Sequence, residues 1–295
     1  DKNAYEADYV VPLNRVKPHT SFRGKWESGL CKMIAIGLGK HTGAVEMHRR
    51  GMDRFPELLP EVAKAFLAKT NVLFGCAIVE NGYERLHTVN LIAPDKIIER
   101  DAELLELAKG LIPRLLLDKI DVLVVDEIGK NISGAGMDPN VTGRNASKAN
   151  DFAGPEIAQI VVRGLTEATH GNATGMGVAD VTTQALVREL DWTKTYVNLV
   201  TAGMPGAASL PLVANNDRDA VSLAMRGCPM LEAEAARIVR IENKLDLGEI
   251  WISEALAADA EAHAEMEVIS EPFEIDFDAE GQMEAFHPPQ EMAAG

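Results

Sequence analysis

A chain of 295 residues, 46% hydrophobic and 25% charged, can bury one or two cores, which excludes a disordered protein. Aromatic residues make up only 5%, a balance that favours packed helices and sheet over an aromatic-rich sandwich. The net charge of −16 disfavours nucleic acid and anionic membrane as partners, although residues 251–295 hold twelve Asp or Glu and no Lys or Arg, so the charge sits mostly at one end.

In chain order, Tyr9–Leu13 is an apolar run that reads as a strand. A basic loop follows. Between Val11 and Arg50 lie Arg15, Lys17, Arg23, Lys25, Lys32, Lys40, Arg49 and Arg50 against only Glu27 and Glu46. The apolar run Met33–Leu38 comes next, ahead of Gly39 and Lys40. A helix is expected over 61–68 with Pro60 at its first turn. The β-rich runs 72–79 and 86–92 flank Asn81-Gly82, a hairpin signal. Asp101 is expected to open a helix that Pro113 ends.

Asp121–Asp126 (DVLVVD) reads as a buried strand entering a glycine-rich loop, residues 129–143. A similar unit follows, with strand 157–162, a Gly/Asn/Thr-rich stretch over 169–177 and a helix over 179–190. The apolar run 196–200 precedes glycines 203 and 206. A helix is expected over 217–225, with late strands at 238–241 and 250–252. Alternating strands and helices with one hairpin predict an α/β fold of mixed sheets with flanking helices, in two lobes with a cleft between. The expected division is 1–128 for the lobe with the His/Lys loop, 129–286 for the second lobe and 287–295 for a frayed tail.

Cys31, Cys76 and Cys228 are odd in number, far apart and without CxxC spacing, which argues for a reducing, cytoplasmic compartment. No apolar run approaches the ~20 residues of a membrane helix, and no signal peptide is visible. The chain begins at Asp1 in mid-pattern, so a preceding N-terminal portion is expected.

Residues 17–32 (KPHTSFRGKWESGLCK) concentrate the chemistry. Pro18 stiffens the backbone beside His19, while Gly24 and Gly29 permit close approach to a ligand. His19 has the residue type of a general base. A lysine here suits a phosphate or, with a lowered pKa, covalent attachment. Taken singly, each also reads as a solvated loop residue. Cys31, with no base fixed beside it, reads as a packing residue.

Together, Pro18-His19, Ser28-Gly29-x-x-Lys32 and the later His48 resemble the nickel-dependent lactate racemase family. The resemblance is specific over about Pro18 to His48 and looser beyond it. It implies an isomerase, a racemase or epimerase of a small 2-hydroxy acid that works by hydride transfer. It also implies a nickel pincer nucleotide tethered at Lys32, His48 as nickel ligand and His19 as acid/base. Ser28 and Gly29 would line the cofactor, with Lys25 an alternative tether and His41 an alternative ligand. The loop from His19 to Lys32 is longer than the family's, and Leu30 stands where the family has a second glycine. The family's substrate-binding arginine and second acid/base histidine precede the matching segment.

The loop after Asp126 departs from both a Walker loop and a GxGxxG turn. Lys130 and Asn131 are its candidate cofactor contacts, against a plain structural turn. His170 is a weaker candidate, and His87, His263 and His287 read as structural or solvent-facing. A small-molecule carboxylate is the expected partner, with neither nucleic acid nor membrane. The alternative reading is a nickel-independent enzyme or a binding protein for a phosphorylated or carboxylate small molecule.

Overall fold

The computed structural model describes residues 1–146, 152–201 and 203–286. The expected tail 287–295, with His287, lies outside the described residues. The protein is α/β, with a three-stranded and a six-stranded sheet, both mixed, and flanking helices. It divides into two compact units, one built from Asp1–Pro113 and the other beginning at Arg114. The division precedes Ile128 because strand 119–128 pairs wholly within the larger sheet.

In the first unit, β1 (Leu13–Arg15) pairs in parallel with β2 (Gly75–Glu80), which pairs antiparallel with β3 (Leu86–Ile92). The predicted hairpin forms, but its connection is wider than an Asn-Gly turn. The Asn81 side chain accepts the N–H groups of Tyr83 and Arg85, and Glu84 takes the left-handed conformation. The predicted strand over 9–13 is reduced to a bridge from Val10 to Val72, with β1 following it. Pro12 lacks the N–H that would carry the ladder through.

Helical segments pack with this sheet. A short turn, α1 (Leu30–Lys32), runs directly into a π-helical stretch, Met33–Gly37. Then come α2 (Lys40–Arg49), α3 (Phe55–Leu67) and α4 (Ile97–Leu111). Helix α3 starts earlier than predicted because Pro56, not Pro60, occupies its first turn. Helix α4 ends before Pro113 as predicted, but it begins at Ile97, so Asp101 is a buried residue of its interior. Leu30, Ala77, Val79, Ile97, Leu104 and Leu105 form one core, and a second gathers around Phe22, Cys31, Phe55 and Leu59.

In the second unit, β4 (Lys119–Ile128) and β5 (Glu156–Leu165) are the central parallel pair of a sheet ordered β7-β6-β5-β4-β8-β9. β6 is Val181–Thr183, β7 Leu212–Ala214, β8 Ile238–Ile241 and β9 Trp251–Ile252. The predicted helix over 179–190 is shorter, Gln184–Glu189. The β-branched run Val181-Thr182-Thr183 joins the sheet instead, and Thr183 then caps the helix. The apolar run 196–200 lies in the helix Trp192–Thr201. Two glycine-rich loops meet backbone to backbone here. At Gly136 (φ +80°) a Cβ would fall 1.5 Å from the Thr174 carbonyl oxygen, so only glycine fits.

Charged side chains cross this sheet's interior. Asp126 on β4 accepts from Arg240 Nε and Nη2 of β8 at 2.9 and 2.7 Å, and Arg163 Nη1 of β5 stands 2.8 Å away. Arg163 also binds Asp217 at 2.6 Å. The acidic end covers this group with its backbone, because the Met283 and Glu284 carbonyls accept from Arg163 and Arg240. Ile275, Phe277 and Met283 of that end join the apolar layer beneath. Among the described residues no helix is long and apolar enough to cross a membrane.

Candidate active site

In the first unit, the His19 loop is closed at its neck by a bridge from Lys17 to Ser28, whose carbonyl accepts the Lys17 N–H at 3.0 Å. Inside the loop sits Glu27, only 2% exposed. Its carboxylate accepts the N–H of His19 at 2.7 Å and of Gly24 at 3.1 Å, while Arg23 and Lys109 each approach it at 3.4 Å. Two cations and two amides compensate one buried carboxylate, so the loop is organised around Glu27. In the sequence Glu27 is merely a minority charge in a basic patch. Its burial follows from the loop's closure, which local pattern does not announce.

The His19 ring stacks on Phe22 with centroids 4.2 Å apart, and its Nδ1 accepts the Ser21 N–H at 3.0 Å. Phe22 contacts Phe55, and Phe55 contacts the His48 ring at 5.2 Å. These aromatics tie the loop to α2 and α3, bringing residues distant in sequence to one place. His19 is held well below the ordinary histidine range, first by burial and then by the charges of Lys32, Arg23 and His48. His19 therefore lies within electrostatic reach of both Lys32 and His48.

Lys32 is positioned by a long-range cap. Asp101 of α4 accepts the N–H groups of Leu30 and Cys31 at 2.8 and 3.0 Å, satisfying donors that the start of a helix leaves open. A Cβ on Gly29 would stand 2.2 Å from Asp101 Oδ1, so this approach requires glycine. Burial, outweighing these hydrogen bonds, raises the Asp101 carboxyl. Asp101→Ala should cost about 2–4 kcal/mol by orphaning two buried amides. A urea midpoint unchanged from the parent would contradict this account of the turn.

The π-helical stretch starts immediately after Lys32, an irregularity frequent at functional sites. Burial and then Lys17 bring the Lys32 ammonium down to about 8, and Nζ stands 3.5 Å from Ser28 Oγ. Native Lys32 therefore gives up its proton before an unfolded lysine does. Protonated Lys32 weighs on the fold below about pH 8, and stability recovers as pH rises from there toward ~10.4. Acylation of Lys32 with acetic anhydride, followed by peptide mass, should show half-reaction near pH 8. Titration together with the exposed lysines would refute this.

On α2, His48 Nδ1 lies 2.7 Å from the Ala44 carbonyl oxygen. A carbonyl only accepts, so Nδ1 carries the hydrogen, and in the neutral ring Nε2 keeps its lone pair for a metal. Among the described residues no three His, Cys, Asp or Glu side chains converge as a metal cage. Cys31 is no nucleophile, because burial and then Asp101 push its thiol far up.

The other candidates fall elsewhere. Lys25 is exposed, its ammonium 5.0 Å from the Trp26 ring, and His41 is exposed on α2. Lys130 and Asn131 belong to the second unit. There Lys130 Nζ donates to the Gly134 carbonyl at 2.7 Å and Asn131 accepts from the Thr166 hydroxyl at 2.6 Å, the contacts of a self-supporting loop. His170 takes the left-handed conformation at the end of a turn, and its carbonyl accepts from Lys194. No family model, curated protein or solved structure matches the chain.

Proposed function

We propose that this chain is a racemase or epimerase of a small 2-hydroxy acid, working with a nickel pincer nucleotide held by Lys32 and His48. The observation that supports this most is the meeting of His19, Lys32 and His48 in one site, from a loop and two helices. The side chains suit the group. Lys32 has an amine that loses its proton at about pH 8, well before an ordinary lysine, which favours covalent attachment, and His48 as a neutral ring offers an Nε2 lone pair, a donor nickel accepts. When bound, such a group supplies a reversible hydride acceptor, which spares a 2-hydroxy acid the removal of a weakly acidic α-proton.

The chain's own residues bind and orient the substrate. Lys17 and Arg23 add positive charge beside Lys32 and His19, favouring a carboxylate ligand. His19 presents a hydrogen at Nε2 for a substrate oxygen, and Phe22 and Phe55 pack against the two imidazoles. The Ser28 hydroxyl lies 3.5 Å from Lys32 Nζ, and Gly29 lets Asp101 approach the turn that carries Lys32. A reducing, cytoplasmic location suits the three unbridged cysteines.

The cations around the site also support a second reading, a nickel-independent enzyme or binding protein for a carboxylate or phosphorylated small molecule. The discriminating experiment starts from protein produced together with the enzymes that make the pincer nucleotide. One enantiomer of lactate, and in parallel other small 2-hydroxy acids, is supplied and followed by chiral chromatography. The proposal expects conversion toward an equal mixture with at least one acid, and loss of conversion in His48→Ala. Retained configuration with every acid, from cofactor-loaded protein, would overturn it.

A further inference from the structure

We infer that His19 serves this site as a hydrogen-bond donor locked in one tautomer, giving its Nε2–H to an anionic oxygen of a bound 2-hydroxy or 2-oxo carboxylate, and not as the proton acceptor. The inference rests on the reading of the site as one for such acids. Its basis is the Ser21 amide, 3.0 Å from Nδ1. A backbone N–H can only donate, so Nδ1 supplies the lone pair and the hydrogen of the neutral ring sits on Nε2. For Nε2 to accept a proton, the hydrogen would have to move to Nδ1 and face the Ser21 N–H.

The surroundings leave little freedom to escape that geometry. The His19 N–H is held by buried Glu27 at 2.7 Å and its carbonyl by Arg23 Nη1 at 2.7 Å. The ring lies on Phe22, and Ser21 is itself buried. Glu27 is in turn fixed by Lys109 and Arg23. Glu27 and Ser21 are thus positioning residues for one ring atom, and among the described residues Nε2 has no partner. The neighbours Lys32, Arg23 and His48 disfavour an imidazolium and favour an anion. A neutral N–H donor among cations stabilises an oxyanion without carrying its proton, and a reaction that needs a base takes it from another group.

Two measurements on the whole chain test this. Long-range proton–nitrogen NMR of the histidine rings reads the tautomer directly, and titration with pyruvate reads the donor. For His19, Nδ1 should resonate as an unprotonated nitrogen and Nε2 as a protonated one, with the Nε2 proton moving downfield as pyruvate binds. His19→Gln, whose amide places a donor near Nε2, should bind pyruvate almost as the parent does. His19→Ala should weaken binding by about 10- to 100-fold, as for a hydrogen bond to a charged group. A hydrogen on Nδ1, pyruvate binding indifferent to His19→Ala, or no pyruvate binding at all would each overturn the inference. None of these depends on nickel or on an adduct at Lys32, so failure here is distinguishable from failure of the racemase reading.

Discussion

Asp126→Ala should destabilise the second unit by about 3–5 kcal/mol, the magnitude expected when one member of a buried ion pair is removed. The Asp126 carboxylate holds Arg240 in a two-point contact and Arg163 in a third, and Arg240 is only 2% exposed. Each arginine already carries one buried nitrogen without a hydrogen-bond partner, Nε of Arg163 and Nη1 of Arg240. Removing Asp126 would leave Arg240 with the Glu284 carbonyl and with the Trp251 ring, 4.5 Å from its guanidinium carbon. A ring face and a carbonyl do not replace a carboxylate in a site closed to water. Arg163 would keep Asp217, so Arg240 should account for most of the loss. The check is chemical denaturation followed by Trp251 fluorescence. A loss below about 1 kcal/mol would mean that water reaches these arginines.

Lys32→Ala should abolish both cofactor attachment and turnover, lowering activity by on the order of a thousandfold or more, because the tether keeps the reacting group at high effective concentration. Lys32→Arg should fail equally. It keeps the positive charge, but a guanidinium is never deprotonated at working pH and offers no free amine. That pair separates attachment from simple attraction of an anion. His48→Ala should behave differently, retaining the adduct mass while losing nickel, since its contribution is a lone pair at Nε2. Comparable turnover from Lys32→Arg and the parent would assign the site to anion binding alone.

Legibility in the sequence divided along the line between local and long-range causes. Strand β4 was readable because DVLVVD is a continuous apolar run of the kind a strand buried on both faces requires. The hairpin and the end of α4 before Pro113 were readable from local turn and proline chemistry. Strand β6 was not, because three residues directly ahead of a helix carry no period of their own and are recruited by β5 and β7. Asp101 looked like the cap of its own helix, whereas it caps a turn seventy-one residues away from its place in the chain at Leu30. Lys32, His48 and His19 stand out through the family resemblance and not through type alone, and the structure brings them within electrostatic reach of one another. Glu27 and the Ser21 amide, which decide what His19 presents, could not. Arg163 and Arg240 did leave a signal, since each interrupts an apolar strand run and a buried arginine there demands a carboxylate. The acidic end, uninformative as a composition, contributes Phe277 and Met283 to the second unit's apolar layer.

The central claim is that Lys32 and His48 hold a nickel-bearing nucleotide. It is tested most directly by the intact mass and metal content of the chain produced together with the enzymes that make that nucleotide. The account predicts a mass increase that maps to the peptide containing Lys32, with about one nickel per chain. An unmodified mass without nickel, from cells that load a known acceptor of the same group, would contradict it.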